Sequence, residues 1–119
     1  MKKEIIIKGI KIDINNINYV DLKFDAVYFH NLGNKDYSIK LTKQEKNLLE
    51  NQLKSFRELV NIGNKFLNLS NIVSAEMMYG EKPTLSIKFK NQSLKILKAK
   101  SNDFYDLTKA LEAQDSFMC

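Results

Sequence analysis

The stretch that decides the fold is Pro83 to Lys100, which reads Pro-Thr-Leu-Ser-Ile-Lys-Phe-Lys-Asn-Gln-Ser-Leu-Lys-Ile-Leu-Lys-Ala-Lys. In its first half apolar and polar residues alternate, and this period of two is typical of a strand with one buried face. A tight turn is predicted at Asn91-Gln92, and the second half returns with the same alternation. The stretch therefore predicts a β-hairpin with one apolar and one lysine-rich face. The apolar face would carry Leu85, Ile87, Phe89, Leu94 and Ile96.

Lysines are concentrated in this hairpin and its flanks. Six lie between residues 82 and 100, and the nearest acid is Glu81 at the edge. Three of them, Lys88, Lys90 and Lys95, are predicted to share the polar sheet face, and a bulge near Leu97 would bring the last two onto it. Each ammonium could neutralise one phosphate and release counterions. The predicted nucleic-acid-binding residues are Tyr79, Lys82, Lys88, Lys90, Lys95, Lys98 and Lys100.

Aromatic side chains could add base stacking to these charges. Tyr79 precedes the loop before the hairpin, and Tyr19 or Tyr28 on a neighbouring strand could offer further faces to unpaired bases. Lysine on an exposed edge strand also prevents aggregation, so the alternative reading is that these lysines only keep the surface soluble.

Composition agrees with a small basic globular protein. The 119 residues carry a formal net charge of +5 and fit one domain, 1–119, with a frayed tail expected at 115–119. Hydrophobic residues at 44% and charged residues at 28% exclude wholesale disorder. Arg57 is the only arginine among 19 basic residues, so bidentate recognition of bases or phosphates is nearly excluded.

The sequence lacks the motifs of most enzyme classes, and the alternative left open is a metal-free nuclease using Lys, Tyr and a carboxylate, because such a site follows no local spacing rule. His30 is the single histidine, so a histidine cluster for a metal is impossible, and we expect a structural or solvent-facing role for it. The four glycines are scattered and form no phosphate-binding loop. We therefore expect no enzyme activity, no catalytic residues, no metal, no cofactor and no small-molecule substrate.

The location is expected to be cytoplasmic. Cys119 has no partner in the chain, which excludes an internal disulfide and favours a reducing compartment. The apolar run Ile5-Ile6-Ile7 is too short for a signal peptide, and no stretch approaches transmembrane length. We expect no membrane partner.

The first half of the chain predicts strands followed by a helix. One strand is predicted from Glu4 to Ile14, with a bulge or a close backbone approach at Gly9. A second is predicted from Tyr19 to His30, with Val20, Leu22 and Phe24 in phase. The shift of phase to Val27 and Phe29 predicts a bend or bulge near Asp25. A loop and a hairpin strand, Tyr37 to Leu41, come next. The following helix should begin at a capping box of Thr42 and Glu45 and end at Gly63, with Leu49, Leu53, Phe56 and Val60 on one face.

The second half predicts the same order. Asn68-Leu69-Ser70-Asn71 is typical of an Asx-type turn between a short strand and a longer one that ends at Met78. After the hairpin, Ser101 or Asn102 is expected to cap a final helix. No residue-level repeat links the two halves. The pattern predicts an α+β fold with a curled, mostly antiparallel sheet or pseudobarrel of about six strands and two helices.

This order of elements resembles a small PUA-type pseudobarrel. The size, the basic character and the richness in Lys, Asn and Ile also resemble the PrgU-like proteins encoded beside surface-adhesin genes on Gram-positive conjugative plasmids. The resemblance covers the whole chain and includes no diagnostic motif. It implies a cytoplasmic regulator that lowers adhesin production after transcription by contacting messenger RNA. The Gly-rich loop of PUA nucleic-acid surfaces is absent here.

We therefore interpret the chain as a small regulatory nucleic-acid-binding protein, with RNA ahead of DNA because no helix is basic enough to read a groove. The alternative is a protein-interaction module or inhibitor encoded by a mobile element, which would use Met77-Met78-Tyr79 or the long helix. Homo-oligomerisation through an open sheet edge is expected under both interpretations.

Overall fold

The computed structural model describes residues 3–31, 33, 35–97 and 99–118, apart from the side chains of residues 101 and 114–118. The chain divides into two compact units, Met1–Ser70 and Asn71–Cys119. That the chain forms one domain with a frayed tail stays a prediction. The strands are β1 (Glu4–Ile7), β2 (Ile10–Asp13), β3 (Ile17–Leu22), β4 (Ala26–Asn31), β5 (Tyr37–Lys40), β6 (Leu59–Ile62), β7 (Lys65–Asn68), β8 (Ile72–Met78), β9 (Thr84–Phe89) and β10 (Ser93–Leu97), and the helices are α1 (Lys43–Lys54) and α2 (Ser101–Met118).

The α+β class is confirmed, with two helices in the described part of the chain. Its strands form three antiparallel sheets, β1-β2, β5-β4-β3-β7-β6 and β10-β9-β8. There are ten strands where about six were expected, largely because two long predicted strands each reverse halfway. The narrower likeness to a PUA-type pseudobarrel stays a prediction.

The first of these reversals is at Gly9. Ile7 pairs with Ile10, which leaves Lys8-Gly9 as a two-residue loop between β1 and β2. Both loop residues have positive φ, 51° for Lys8 and 77° for Gly9, and that combination is what a type I′ hairpin turn requires. The predicted bulge is therefore wrong, and the glycine reverses the chain instead.

The second reversal replaces the bend predicted near Asp25. Lys23 donates its N–H to the carbonyl of Ala26 at 2.8 Å, so that Phe24 and Asp25 form the tip of a β3–β4 hairpin. The change in alternation located this position correctly, but it did not distinguish a bend from a full turn. Phe24, predicted to lie in phase with the buried strand residues, is fully exposed at the tip as a result.

Helix α1 begins as predicted and ends earlier. Thr42 Oγ1 accepts the N–H of Glu45 at 3.2 Å, and Glu45 Oε1 accepts the N–H of Thr42 at 2.9 Å, which confirms the capping box. The end predicted at Gly63 is wrong, because α1 stops at Lys54. Gly63, with φ of 63°, instead begins the turn between β6 and β7.

The core of the first unit lies between one face of the five-stranded sheet, the β1–β2 hairpin and α1. The side-chain amide of Gln52 on α1 both accepts the N–H of Ile6 (2.9 Å) and donates to its carbonyl (2.8 Å). This amide fixes the helix against the outer edge of β1. The buried core comprises Ile5, Ile7, Ile12, Ile14, Ile17, Val20, Leu22, Val27, Phe29, Leu41, Leu49, Leu53, Leu59 and Phe66.

A five-residue motif occurs twice, although the sequence alone showed no repeat. Asp13 Oδ1 accepts the N–H of Asn15 at 2.9 Å, and Asn68 Oδ1 accepts the N–H of Ser70 at 3.0 Å. Each acceptor follows a hairpin and begins a single 3-10 turn that leads into the next strand. The predicted Asx-type turn is therefore confirmed, and its counterpart is the segment from residue 13 to residue 17.

The second unit consists of the β8–β10 sheet and α2. Helix α2 packs against β8, and its Leu107 is fully buried. The helix begins at Ser101, so the predicted cap residues are already inside it. The carboxylate of Asp103 accepts the N–H of Lys100 at 3.0 Å and satisfies one donor of the first turn.

Candidate nucleic-acid interface

Strand β9 is the centre of the three-stranded sheet, and its pairing assigns each side chain to a face. Leu85, Ile87 and Phe89 are buried on one face, as the alternation predicted. The opposite face consists of three rows that run across β8, β9 and β10. The rows are Met78, Thr84 and Leu97; Glu76, Ser86 and Lys95; and Ser74, Lys88 and Ser93.

The turn between β9 and β10 lies one residue earlier than predicted. Phe89 donates its N–H to the carbonyl of Gln92 at 2.7 Å, so the loop residues are Lys90-Asn91 rather than Asn91-Gln92. The pairing register changes by two residues, and an even change leaves every side chain on its predicted face. Lys90 is therefore at the turn, one residue beyond the strand that carries Lys88.

Lys88 and Lys90 make this end of the sheet basic. Both line a depression of about 580 Å³ whose wall also includes Glu76 and hydroxyl-bearing residues of all three strands. Within the described residues, neither ammonium has a carboxylate within 4.0 Å. The two charges therefore remain available to an external anion. The hydroxyl-bearing residues of the depression are Ser74, Ser86 and Ser93.

The remaining predicted lysines lie elsewhere on the second unit. Lys95 is on the same exposed face, opposite Ser86. Lys82 and Lys100 are exposed at the other end of β9, where the N–H of Ala99 bonds the carbonyl of Pro83 at 3.0 Å. Since a strand rises about 3.3 Å per residue, the two ends are separated by the length of β9. Lys98 lies outside the described residues.

Tyr79 lies at that second end. It exposes 73% of its surface, and the neighbouring row adds Met78 and Leu97, exposed by 51% and 71%. The sequence argument named Tyr79 for nucleic-acid binding and Met78 only for the alternative protein interface, and it assigned no binding role to Leu97 or to the three serines. Alternation along β9 from Lys88 and along β10 from Lys95 places Ser86 and Ser93 on the exposed face. The apolar row of Met78 and Leu97 can be recognised only from the pairing register of the three strands. The assignment of these residues to nucleic-acid binding stays a prediction.

The single histidine belongs to a different cluster, in the first unit. The ring of His30 stacks on Tyr19 with centroids 4.0 Å apart, and its Nδ1 lies 2.9 Å from Asp36 Oδ2. The other oxygen of Asp36 accepts the N–H of Asn31 at 2.9 Å. His30 therefore has structural contacts, in line with its expected role.

Tyr19 cannot provide the stacking face proposed from the sequence. Its side chain is buried and its ring is already stacked on His30. Burial, together with the nearby charges of Asp21 and Asp36, raises the pKa of Tyr19 to about 12. Tyr28, on the neighbouring strand, is partly exposed and keeps an accessible ring.

Neither a metal site nor a membrane span is visible in the described part of the chain. No group of three or more His, Cys, Asp or Glu side chains there could hold a metal ion. None of the helices that the structure describes combines the length and the apolar character needed to cross a bilayer.

The fold is similar to that of a known DNA-binding domain. A search of solved structures matches the chain to a LytTr DNA-binding domain of a response regulator from Bacillus cereus, with a TM-score of 0.61. The match covers 91% of this chain and 98% of that domain at 14% sequence identity, which shows a shared fold. No family model and no curated protein matches the sequence.

Proposed function

We propose that this chain is a nucleic-acid-binding regulatory protein whose basic β9–β10 end contacts the phosphate backbone. The observation that carries this proposal is the pair Lys88 and Lys90. Lys88 is near the end of β9 and Lys90 is in the β9–β10 turn, both lack an ion-pair partner among the described residues, and serines line the same depression. Ammonium groups and hydroxyls are common donors to phosphate oxygens.

We propose duplex DNA as the ligand. The fold shared with a LytTr DNA-binding domain supports this choice, and the two-residue β9–β10 turn carries Lys90 two residues beyond Lys88 of the adjoining strand. An enzyme function is not part of the proposal. The fold neighbour is a DNA-binding domain, and the described residues include no metal cluster.

RNA is the second candidate ligand, because Tyr79 exposes a ring suited to an unpaired base near Lys82. The narrower target of this candidate, a transcript for a surface adhesin, follows only from the PrgU-like resemblance. The alternative class, a protein-interaction module, is favoured by the exposed row of Met78 and Leu97.

The proposal predicts a salt dependence of known size. If Lys88, Lys90 and Lys95 each neutralise one phosphate of a duplex, log K should fall with log salt with a slope of about −2.7. Affinity would then drop about 40-fold between ~50 and ~200 mM salt. An apolar protein interface would change little over the same range.

Fluorescence polarisation tests the proposal directly. A duplex DNA and a single-stranded RNA of matched sequence are titrated with the protein at both salt concentrations. The variant Lys88→Glu/Lys90→Glu/Lys95→Glu should lose duplex binding. The matched control, Lys11→Glu/Lys46→Glu/Lys54→Glu, makes the same change in net charge on the first unit. This variant should retain most of the duplex binding.

The outcomes separate the candidates. Salt-sensitive binding of the duplex that only the first triple variant abolishes supports the proposed interface. Binding of RNA alone shifts the function to the second candidate. Equal losses in both triple variants would show that net charge, and not this interface, drives binding, and no binding at low salt would contradict the proposed function.

A further inference from the structure

Phe24 is the most exposed large apolar side chain in the described part of the chain. It leaves 95% of its surface in solvent at the tip of the β3–β4 hairpin, in the first unit. The interface proposed above, in the second unit, does not use it. A single exposed apolar residue is common, so its significance depends on how the ring is held and on what surrounds it.

The tip that carries Phe24 is held by its backbone rather than by its side chain. Hydrogen bonds to three different segments fix the residues on both sides of the ring, so that little backbone entropy remains to be lost on binding. The bonds run from Lys23 N to Ala26 O (2.8 Å), from Leu41 N to Asp25 O (2.8 Å) and from Leu22 N to Asn64 O (2.9 Å).

The surroundings of the tip are basic on balance. Lys23 and Lys65 share the single carboxylate of Asp21, at 3.2 and 3.9 Å. Lys40, which lies on β5 opposite Ala26, and Lys43, at the start of α1, are exposed and have no carboxylate within 4.0 Å among the described residues. Against these four lysines are Asp21 and, beside the ring, Asp25.

We propose that Phe24 inserts as a wedge between adjacent base pairs of a DNA duplex, with the lysines around the tip on the flanking phosphates. This inference rests on the proposed function, duplex binding, and assigns it a second contact in the first unit. Phenylalanine is among the residues that proteins insert between base steps to unstack and kink DNA. The loop has only two residues, and its ring is almost fully exposed to a ligand.

The wedge should prefer steps that unstack easily. Pyrimidine–purine steps such as TA are the most deformable, whereas A-tracts are stiff. A duplex with a central TA step should therefore bind more tightly than an A-tract duplex of equal length. The preference should depend on Phe24, because the lysines contact phosphates whatever the sequence.

The test measures affinity and bending with end-labelled duplexes, by fluorescence polarisation and energy transfer. The full chain and Phe24→Leu, which keeps an apolar wedge, should shorten the end-to-end distance of the TA duplex. Phe24→Ala should not, and it should bind that duplex about tenfold more weakly. Leu48→Ala, which removes another exposed apolar side chain of the first unit, is the matched control and should behave as the unmodified chain.

A second readout uses the absence of tryptophan from the sequence. Phe24→Trp places the only indole at the tip, and stacking on base pairs should quench its fluorescence when duplex is added. If Phe24→Ala binds and bends the TA duplex normally, the wedge is overturned and the proposed function stands. If the unmodified chain binds no duplex, the wedge and duplex DNA as the proposed ligand are both contradicted. Quenching by single strands or anionic vesicles but not by duplex also overturns the wedge.

Discussion

The first hairpin of the fold, β1–β2, depends on the backbone conformation of its loop residues, Lys8 and Gly9. Both have positive φ, and only glycine adopts that region without a steric penalty. The β1–β2 hairpin supplies three of the buried isoleucines of the core, Ile5, Ile7 and Ile12, and the edge that α1 covers. The conformation of this loop is therefore coupled to the packing of the first unit.

We predict that Gly9→Ala lowers the free energy of unfolding by about 1 kcal/mol, the typical cost of a left-handed conformation for an L-residue. No neighbour lies within 4 Å of an added Cβ, so the penalty would come from the backbone alone. Urea unfolding measures it. Gly80→Ala is the control, because Gly80 also has open space but no positive φ. An equal loss in both variants would contradict the explanation.

The second residue-scale prediction concerns ionisation of Tyr19. Its folded-state pKa is raised from 10.0 to about 12 by burial and by the charges of Asp21 and Asp36. The unfolded state therefore loses this proton first, and stability should fall as pH rises from about 10 to about 12. An absorbance titration of the tyrosines should show one late transition that Tyr19→Phe removes. A late transition that persists in this variant would assign the shift to another residue, such as Tyr37, whose pKa burial also raises.

At the scale of elements, one side-chain amide adds backbone hydrogen bonds to the packing of α1 on β1. Gln52 gives the Ile6 backbone the donor and the acceptor that a neighbouring strand would otherwise supply. An open strand edge invites pairing with another chain, so this amide both fixes the helix and closes the edge at one position.

We predict that Gln52→Ala lowers the free energy of unfolding by about 1 kcal/mol, since water can partly replace the lost bonds at this exposed position. The loss of unfolding free energy in Gln52→Glu should be smaller than in Gln52→Ala, because a carboxylate accepts the N–H of Ile6 but cannot donate to its carbonyl. Thermal unfolding of both variants checks the order. Asn51→Ala, next to it on the exposed face of the helix, should cause no loss, since alanine is a better helix former than asparagine. A loss there as large as at Gln52 would contradict the role given to the Gln52 bonds.

At the scale of the whole molecule, the two compact units have unequal cores. The connected cluster of buried side chains described for the first unit lies entirely within residues 5–66. We predict that residues 1–70 alone fold cooperatively, whereas residues 71–119 alone do not, because so short a chain buries too little apolar surface. Circular dichroism during thermal unfolding tests both fragments. A non-cooperative transition in the first fragment would favour the single domain that the sequence predicted.

The sequence predicted the structural features that neighbouring residues form, and it failed for features that depend on the pairing of distant strands. The capping box of Thr42 and Glu45 and the alternation of β9 involve neighbouring residues, and both are confirmed. Glycine has several uses, and only strand pairing reveals that Gly9 and Gly63 reverse the chain rather than form a bulge or a helix cap.

The same distinction holds for the candidate site, where the local pattern was predicted and the contacts between strands were not. The exposed lysine face followed from the period of two, whereas the position of Lys90 at the turn depended on the register of the hairpin. The stacking of His30 on Tyr19 and the apolar row beside Tyr79 join residues from different strands. No spacing within one segment encodes such pairs.

The two copies of the five-residue motif differ in the residue that accepts the turn hydrogen bond, and this difference makes the copies unequal. The oxygen of Asp13 or of Asn68 is enough to shape the local turn. Only Asn68 also has an N–H₂ group, which donates to the carbonyls of Ile14 and Ile17 at 3.0 and 2.9 Å and so ties one copy to the other. Deamidation of Asn68 would keep the oxygen that shapes its own turn but replace the N–H₂ donor by an acceptor. Both ties, between two segments more than fifty residues apart in the chain, would then be lost.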